Sequence, residues 1–273
     1  MHERIISIID YGTGESGDLA EALTAKLREA DLCPVLGDVE GAELIVVIGG
    51  DGSFLRTLER FDFPEAPFVG FNTGHLGFFQ ELNPDDIDEF VECYMHGRFG
   101  QQRYRTVYGS VEFAGGKLEL RGLNEISIKA ADSKTAHLDI YIGDSLVEKF
   151  SGDGVVISTP AGSTAYNYAL GGSIVDPRLE LLQLTPIAPV NTTAYRSFTS
   201  GIVLPPGMPV QIFPDPENAD KDLREILIAI DGNEKRLKDI KRIEAGLSEH
   251  SVSLLRFKNY EFWNTVKKKL LTP

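Results

Sequence analysis

The sequence has few cysteines and no long apolar run, and both shortages exclude whole classes of protein. Its two cysteines, Cys33 and Cys93, match no metal-ligand or disulfide spacing, so we expect both to be buried as apolar side chains. No segment reaches the roughly 18 apolar residues that a membrane helix needs, and Ile5 to Ile9 is too short for a signal peptide. We therefore expect a cytoplasmic protein without membrane contacts.

Basic residues are also scarce, with 27 Lys and Arg against 41 Asp and Glu and a net charge of -14. This excess of negative charge repels a phosphate backbone, so we expect no nucleic-acid partner. A small anionic substrate would have to be held by backbone N–H groups, a helix N-terminus or a metal ion. The length of 273 residues and the hydrophobic content of 42% predict a globular chain of one large or two ordinary domains.

The first hundred residues alternate apolar strand-like runs with helical ones, which predicts a parallel sheet with crossover helices. Asn83, Pro84 and Gly97 provide start and stop signals for the last helix of this region. The predicted elements are strands at Arg4 to Ile9, Glu43 to Ile48 and Pro67 to Gly70, and helices near Asp18 to Ala30, from Gly52 and at Pro84 to His96.

The rest of the chain has a different residue pattern. Its alternating segments, rich in β-branched residues and separated by turn pairs, predict an antiparallel, mostly β domain. A final helical pattern at Tyr260 to Leu270 is expected to pack back on the first domain, with Phe262, Trp263 and Val266 on one side. The predicted division is an α/β domain of residues 1–100 with 250–273, and a mostly β domain of residues 101–249.

A glycine-rich turn, Gly49-Gly-Asp-Gly-Ser53, follows the strand at Glu43 to Ile48. Glycines between a strand and a helix let backbone amides approach phosphates, and the helix N-terminus adds partial positive charge. Asp51 then lies at the carboxyl end of a strand, where α/β sheets bind ligands. The alternative is an ordinary turn in which Asp51 is the N-cap of the helix.

Two further segments combine glycines, hydroxyl groups and aromatic rings. In the tight loop Phe71 to Phe79, His75 is either a ligand or a structural group, and Phe78 either stacks on a base or belongs to the core. The segment Ser151 to Asn167 contains a strand, a Pro-Gly turn and a short helix with Tyr166, which suits a nucleoside. Ordinary N-cap and turn roles explain several of its hydroxyl groups equally well.

Together these segments resemble the NAD kinase family in their order and spacing. The Gly-Gly-Asp-Gly turn is shared with lipid kinases and phosphofructokinases, whereas Asn124-Glu125 and Ser158-Thr-Pro-Ala-Gly-Ser-Thr-Ala-Tyr166 are highly specific. The resemblance runs from about Glu43 to about Asp231, and the aromatic-rich C-terminal tail is also similar. It implies an NAD kinase-like two-domain fold, with an α/β N-terminal domain containing a parallel sheet and an all-β C-terminal domain.

The resemblance also implies an activity, the transfer of a phosphoryl group from ATP to the 2′-hydroxyl of the adenosine ribose of NAD, which gives NADP. Asp51 is then the general base, Gly52 lies beside the substrate, and Asn124 and Glu125 hold the ribose. The other implied NAD-binding positions are Phe78, Ser151, Asp153, Thr164, Ala165, Tyr166, Asn167 and Ala188. At Ser151 many relatives have a basic residue.

Phosphoryl transfer to a ribose hydroxyl requires positioning and charge neutralisation, because the hydroxyl is a poor nucleophile. A carboxylate in hydrogen-bond reach takes its proton. In so acidic a chain we expect Mg²⁺ or another divalent cation to bridge the donor phosphates, with phosphates and water supplying most ligands. The family resemblance further implies a homodimer or homotetramer, since a neighbouring subunit helps to build the site.

Three other interpretations stay open on the sequence. Gly12-Thr-Gly-Glu-Ser-Gly17 fits the fingerprint of a Rossmann dehydrogenase, but a dehydrogenase leaves the later segments unexplained, and a turn near the donor phosphates is favoured for these glycines. A lipid kinase of the same superfamily is disfavoured by the segment Ser163 to Tyr166. A non-catalytic NAD(P)-binding sensor would not need the base Asp51.

Overall fold

The computed structural model of the protein describes residues 4–11, 15–74, 77–191, 196–215, 225–258 and 260–272. The chain divides into two compact units, Met1–Arg103 with Val252–Pro273, and Tyr104–Ser251. The boundaries predicted from the sequence, near residues 100 and 250, fall within a few residues of this division.

The first unit contains a parallel sheet with helices between its strands. In the order β2-β1-β3-β4, each strand pairs in parallel with its neighbour, and the end of the last strand, β16 (Ile240–Arg256), adds a parallel pair at Leu254 and Phe68. Its elements are β1 (Ile5–Asp10), α1 (Glu15–Glu29), β2 (Cys33–Leu36), β3 (Leu44–Ile48), α2 (Asp51–Arg60), β4 (Phe68–Phe71), a 3-10 turn (Pro84–Asp86), α3 (Ile87–Met95), α5 (Phe262–Val266) and a π-type helical turn (Lys267–Leu271).

The core of this unit forms because its strands are apolar on both faces. All five residues of β3 are buried, as is usual for a strand inside a parallel sheet that helices cover. Helix α1 contributes Leu19, Leu23 and Leu27, which recur every fourth residue and therefore lie on one helix face. This packing holds the carboxyl end of β3, where Asp51 follows, in a rigid frame.

Three local features of the first unit differ from the sequence predictions. Strand β2 was not predicted, because it is a four-residue edge strand that contains Pro34. Cys33 in that strand and Cys93 in α3 are only half-buried, so the expectation that both are buried is wrong. Trp263 is 50% exposed rather than buried beside Phe262, because consecutive helical residues point about 100° apart.

The second unit is built from antiparallel strands in two layers. One layer has the strand order β12-β11-β10-β7-β14-β15, and the other contains β16-β13-β8-β9 together with β5 and β6. Its elements are β5 (Gly100–Phe113), β6 (Gly116–Gly122), β7 (Glu125–Ala130), β8 (Ala136–Ile142), β9 (Ser145–Gly152), β10 (Gly154–Ser158), a 3-10 turn (Ala161–Thr164), α4 (Tyr166–Ala169), β11 (Leu182–Ile187), β12 (Ile202–Leu204), β13 (Val210–Pro214), β14 (Glu225–Ile230), β15 (Asn233–Lys238) and β16 (Ile240–Arg256).

The core of the second unit lies between these layers. Ile126, Ile157 and Ile228 of one layer share a buried cluster with Ile140 and Ile212 of the other. Alternate residues of each strand point inward, which is the period-2 pattern that the sequence displays beyond residue 100. The longest described helix has 15 residues, and no helix in the described ranges is long and apolar enough to cross a membrane.

Candidate active site

The turn after β3 places Asp51 as the first residue of α2. Gly49 has a φ of +138°, and a Cβ atom there would lie 2.4 Å from Oγ of Ser53, so this position requires glycine. The N-cap of α2 is Gly50, in an extended conformation. The alternative that Asp51 is the N-cap of the helix is therefore wrong, and its carboxylate makes no capping hydrogen bond. Gly52 is exposed, with open space where a side chain would begin.

The carboxylate of Asp51 is held by the loop that follows β4. Its Oδ1 accepts the backbone N–H of Phe78 at 2.9 Å and of Phe79 at 3.1 Å, and its Oδ2 lies 3.2 Å from the same Phe78 nitrogen. Oδ2 also pairs with the ammonium group of Lys269. The side chain of Asp51 is 23% exposed. The arrangement thus fixes the carboxylate while leaving part of it open to solvent.

Close packing in this loop depends on two glycines. A Cβ atom at Gly77 would lie 2.5 Å from Oδ1 of Asp51, and one at Gly70 would lie 2.6 Å from the side chain of Gln80. The buried Gln80 donates from Nε2 to the carbonyl oxygen of Gly50 at 2.7 Å, which ties the loop to the glycine-rich turn. The two glycine-rich segments singled out in the sequence therefore meet at Asp51.

Phe78 is 8% exposed and packs inside the first unit. Its ring lies 6.0 Å from the ring of Phe262, and Nζ of Lys269 lies 4.7 Å from its centroid. Its carbonyl oxygen accepts from Nη2 of the buried Arg256 at 3.0 Å and from the hydroxyl of Tyr260 at 3.3 Å. Of the two roles weighed for Phe78, the structure gives it core contacts, and its stacking on a base stays a prediction.

In the second unit, Asp231 organises the segment that contains Asn124 and Glu125. Its carboxylate accepts the backbone N–H groups of Leu123 and Asn124, each at 2.7 Å, and of Glu125 at 3.2 Å. Asp231 and Gly232 join β14 to β15 with positive φ angles of 47° and 90°, which is typical of an Asp-Gly hairpin turn. Three amides bound by one carboxylate hold this segment firmly.

The segment after β10 packs against the same backbone. Oγ1 of Thr159 donates to the carbonyl of Leu123 at 2.6 Å, and the N–H of Thr159 donates to the carbonyl of Asn124 at 2.9 Å. A Cβ atom at Gly162 would lie only 2.2 Å from that Asn124 oxygen, so the turn needs a glycine to come this close. The two most specific sequence motifs are therefore joined directly in space.

Glu125 is a buried carboxyl group with an unusual environment. Burial is the largest cause that raises its pKa, to about 8, and the nearby charge of Asp231 adds to the shift, while a hydrogen bond from the backbone N–H of Tyr166 opposes it. Oε2 of Glu125 and Oδ1 of Asn124 are both buried and have no hydrogen-bond partner among the described residues. Such oxygens are costly to bury and are suited to hydroxyl groups of a ligand.

The remaining positions of this segment differ in exposure. Thr164, Ala165 and Tyr166 are half-buried, so a ligand can reach them. Asn167 is fully buried, where its Oδ1 accepts from Oγ1 of Thr185 at 2.6 Å and its Nδ2 donates to the carbonyl of Ser163 at 3.4 Å. The side chain of Asn167 thus supports the segment from inside.

Ser151, Asp153 and Ala188 lie together at the opposite end of β10. Ser151 is buried, with its carbonyl accepting the N–H of Val190 at 2.7 Å, whereas the side chains of Asp153 and Ala188 are exposed. The N–H of Asp153 donates to the carbonyl of Ile187 at 3.0 Å. The predicted positions in the second unit thus form two groups, one at each end of this strand.

Two motifs of the sequence fall partly or wholly outside the described residues. His75 lies outside them, as do Gly12 and Gly14 of the possible dehydrogenase fingerprint. Gly17, the last glycine of that fingerprint, is in α1. In the part of the chain that the structure describes, no group of three or more His, Cys, Asp or Glu residues could hold a metal ion.

Sequence reasoning did not identify three residues that organise these sites, namely Asp231, Arg256 and Lys269. The Asp-Gly pair at residues 231–232, a strong hairpin-turn signal, could have drawn attention to the first. No local pattern marks the other two, because their contacts with Phe78 and Asp51 span 178 and 218 residues.

Sequence comparison matches both halves of the chain to one family. A model described as the ATP-NAD kinase N-terminal domain matches residues 29–99, and one described as the ATP-NAD kinase C-terminal domain matches residues 123–256. The NAD kinase of Finegoldia magna is 33% identical over 272 residues, which are 99% of each chain. The NAD kinase of Staphylococcus carnosus is 32% identical over 97% of each chain. The family resemblance predicted from the motifs is confirmed.

Comparison with solved structures concerns the fold alone. The yeast NADH kinase complexed with NADH matches with a TM-score of 0.84 and 19% identity, covering 98% of this chain and 87% of that one. An NAD kinase from Archaeoglobus fulgidus in complex with ATP matches with a TM-score of 0.78 and 22% identity, covering 98% and 99%. The predicted two-domain fold, a parallel α/β domain followed by an all-β domain, is confirmed.

Proposed function

Because this chain belongs to the ATP-NAD kinase family, we propose that its Asp51 is the general base in the transfer of a phosphoryl group from ATP to the 2′-hydroxyl of the adenosine ribose of NAD. The chain is an NAD kinase, an enzyme of the phosphotransferase class, as its motifs predict. Relatives named NAD kinase align with it along 97% to 99% of its length, which favours this function over a lipid kinase of the same superfamily.

The observation that carries the role of Asp51 is the way its carboxylate is held. Two backbone amides of the loop at residues 78–79 bind Oδ1, so the carboxylate cannot rotate freely. Oδ2 lies 3.2 Å from the Phe78 nitrogen and also faces the ammonium group of Lys269. A positioned carboxylate in hydrogen-bond reach of a hydroxyl takes its proton as attack on phosphorus proceeds. The open space beside Gly52, in the first turn of α2, suits the phosphates, which a helix N-terminus attracts.

For recognition of the ribose, we propose the buried oxygens of Asn124 and Glu125. Both oxygens lack a partner among the residues described, and a ribose offers hydroxyl groups that donate and accept hydrogen bonds. Thr164, Ala165 and Tyr166, which follow in the adjoining segment, are proposed to surround the adenine and its ribose. Asn167 supports them from inside, and Gly52 and Phe78 are proposed beside the substrate in the first unit.

Asp153, Ser151 and Ala188 are proposed for the nicotinamide end of NAD. Asp153 and Ala188 are exposed, so both can meet a ligand, whereas the buried Ser151 contributes through its place in the backbone. A homodimer or homotetramer is proposed for the assembly, as the family resemblance implies. A strictly monomeric mass in light scattering at micromolar concentration, with full activity, would contradict it.

Mg²⁺ or another divalent cation is proposed as part of the triphosphate substrate rather than as a resident metal. The described residues contain no group of three or more His, Cys, Asp or Glu side chains that would form a dedicated metal site. Mg²⁺ commonly binds through substrate phosphates and waters with one or two carboxylates, so the chain need not provide a complete site. When bound, the cation would neutralise charge on the donor phosphates.

The proposal is tested by comparing the parent enzyme with Asp51→Asn in an assay with NAD, ATP and Mg²⁺ that measures NADP. Asn keeps the shape and can still accept the loop amides, but it cannot take a proton. We expect turnover to fall by about 10² to 10⁴. The affinity for NAD, measured by calorimetry, should change much less, because a base acts in the transition state.

Asp88→Asn is the matched control, because Asp88 is also in the first turn of a helix and its side chain is 79% exposed. This variant should match the parent in turnover and in thermal unfolding. Activity of Asp51→Asn within a few-fold of the parent would refute the role of Asp51. Binding of NAD by the parent without any NADP would instead favour the sensor interpretation.

A further inference from the structure

The C-terminal helical segment brings a lysine to the proposed base. Lys269 is in the turn Lys267–Leu271, and its ammonium group pairs with Oδ2 of Asp51. The same group lies 4.7 Å from the centroid of the Phe78 ring, a cation–π contact. The side chain of Lys269 is 31% exposed. This cation therefore lies beside the one carboxylate of the glycine-rich turn.

The contacts of the Asp51 carboxylate show which of its hydrogen-bond donors a substrate hydroxyl can replace. A carboxylate has about four acceptor positions. Phe78 and Phe79 contribute three N–H contacts, and Lys269 contributes the fourth. The amides belong to a loop that Arg256 and Gln80 hold in place, whereas the ammonium group is at the end of a four-carbon stem. A hydroxyl that approaches Oδ2 therefore displaces Lys269 and not the amides.

The displaced ammonium group stays next to the reacting atoms. The hydroxyl oxygen that gives its proton to Asp51 is also the atom that attacks the γ-phosphorus. The oxygens of the transferred phosphoryl group are therefore within reach of Lys269, because its Nζ lies beside Oδ2 of Asp51 before the substrate binds. Charge on those oxygens is what a phosphoryl-transfer site must neutralise, and a lysine ammonium group beside them is one means of doing so.

We propose that Lys269 is a further catalytic residue, which leaves Asp51 when the acceptor hydroxyl binds and then pairs with the transferred phosphoryl group. The inference rests on the proposed function, because it takes Asp51 as the base. In the step, the bond between the ribose oxygen and the γ-phosphorus forms, and the bond from the γ-phosphorus to the bridging oxygen of ATP breaks. The hydroxyl proton goes to Asp51, ADP leaves, and Lys269 stays protonated throughout.

The test compares Lys269→Met with Lys269→Arg and the neighbouring Lys268→Met. Methionine keeps much of the length and apolar character of the stem but removes the charge. We expect kcat of Lys269→Met to fall about 10²-fold, as for loss of one donor to transition-state charge. The Kd for NAD, measured by calorimetry, should not rise, because binding of NAD displaces Lys269 from Asp51 and the contact of Lys269 with the phosphoryl group forms only later.

Two further variants separate a chemical role from a structural one. Lys269→Arg should recover at least a tenth of the parent kcat, since arginine also pairs with phosphoryl oxygens. Lys268→Met removes an equal charge from the same exposed turn and should keep the parent kcat within twofold. Unfolding temperatures of all three variants should agree with the parent, which a merely structural role of Lys269 would not predict.

An unchanged or increased kcat in Lys269→Met would overturn the inference, and an increase would mean that the lysine blocks Asp51 instead of assisting it. The parallel measurement on Asp51→Asn keeps the two proposals apart. If Asp51→Asn is inactive while Lys269→Met is fully active, only the role of Lys269 is wrong. If Asp51→Asn is fully active, the proposed function of Asp51 is wrong.

Discussion

The buried carboxyl group of Glu125 should make the stability of the protein depend on pH in a defined direction. The residue is 8% exposed, and the pKa of its carboxyl group is raised from 4.5 to about 8 in the folded state. Between these two values the folded protein holds a proton that the unfolded chain has released. The free energy of unfolding must therefore fall as pH rises through this window, because stability decreases wherever the folded state binds more protons.

The magnitude follows from the size of the shift. One pKa unit corresponds to about 1.4 kcal/mol, so a shift from 4.5 to about 8 corresponds to a loss on the order of 5 kcal/mol across the window. The contribution is fully present below pH 4.5 and lost above pH 8. Glu125→Gln has no proton to release, so its stability should lack this decline.

The assay is urea unfolding of parent and variant at pH 5, 7 and 9. We expect the unfolding free energy of Glu125→Gln, relative to the parent, to increase by several kcal/mol between pH 5 and pH 9. Glu119→Gln is the control, because that side chain is 64% exposed and its removal should give a difference that hardly changes with pH. If the difference between parent and Glu125→Gln is the same at all three pH values, Glu125 is not a protonated buried group.

Other contacts give shorter predictions. Gly162→Ala places a Cβ atom 2.2 Å from the carbonyl oxygen of Asn124, so the affinity for NAD, measured by calorimetry, should fall at least tenfold. Binding as tight as that of the parent would show that the turn can shift to make room. Arg256→Met removes the partner of the buried Glu81 at 3.8 Å and should lower the unfolding free energy by about 3 kcal/mol in urea. Adding Glu81→Gln should restore part of that loss, and no restoration would contradict the pairing. Gly14→Ala should leave affinity for NAD nearly unchanged, whereas a large selective loss would revive the dehydrogenase fingerprint.

The fold class and the family can be predicted from the sequence alone, because both are encoded in local patterns. A run of five apolar residues that ends at a glycine-rich turn favours a buried strand of a parallel sheet, and glycines at fixed offsets permit a turn that other residues rarely adopt. The alternation beyond residue 100 likewise requires strands with one inward face. These features depend on neighbours within a few residues, so they can be read without knowing where the rest of the chain lies.

The groups that surround the reactive side chains become known only from the folded chain. Lys269 meets Asp51 across 218 residues, and Asp231 binds the amide of Asn124 across 107 residues. The pKa of Glu125 likewise depends on burial and on the charge of Asp231, which no window of the sequence around residue 125 contains. Hydrogen bonds and ion pairs act over a few ångströms of space, and the packing of helices, loops and strands, not sequence distance, sets which residues come that close.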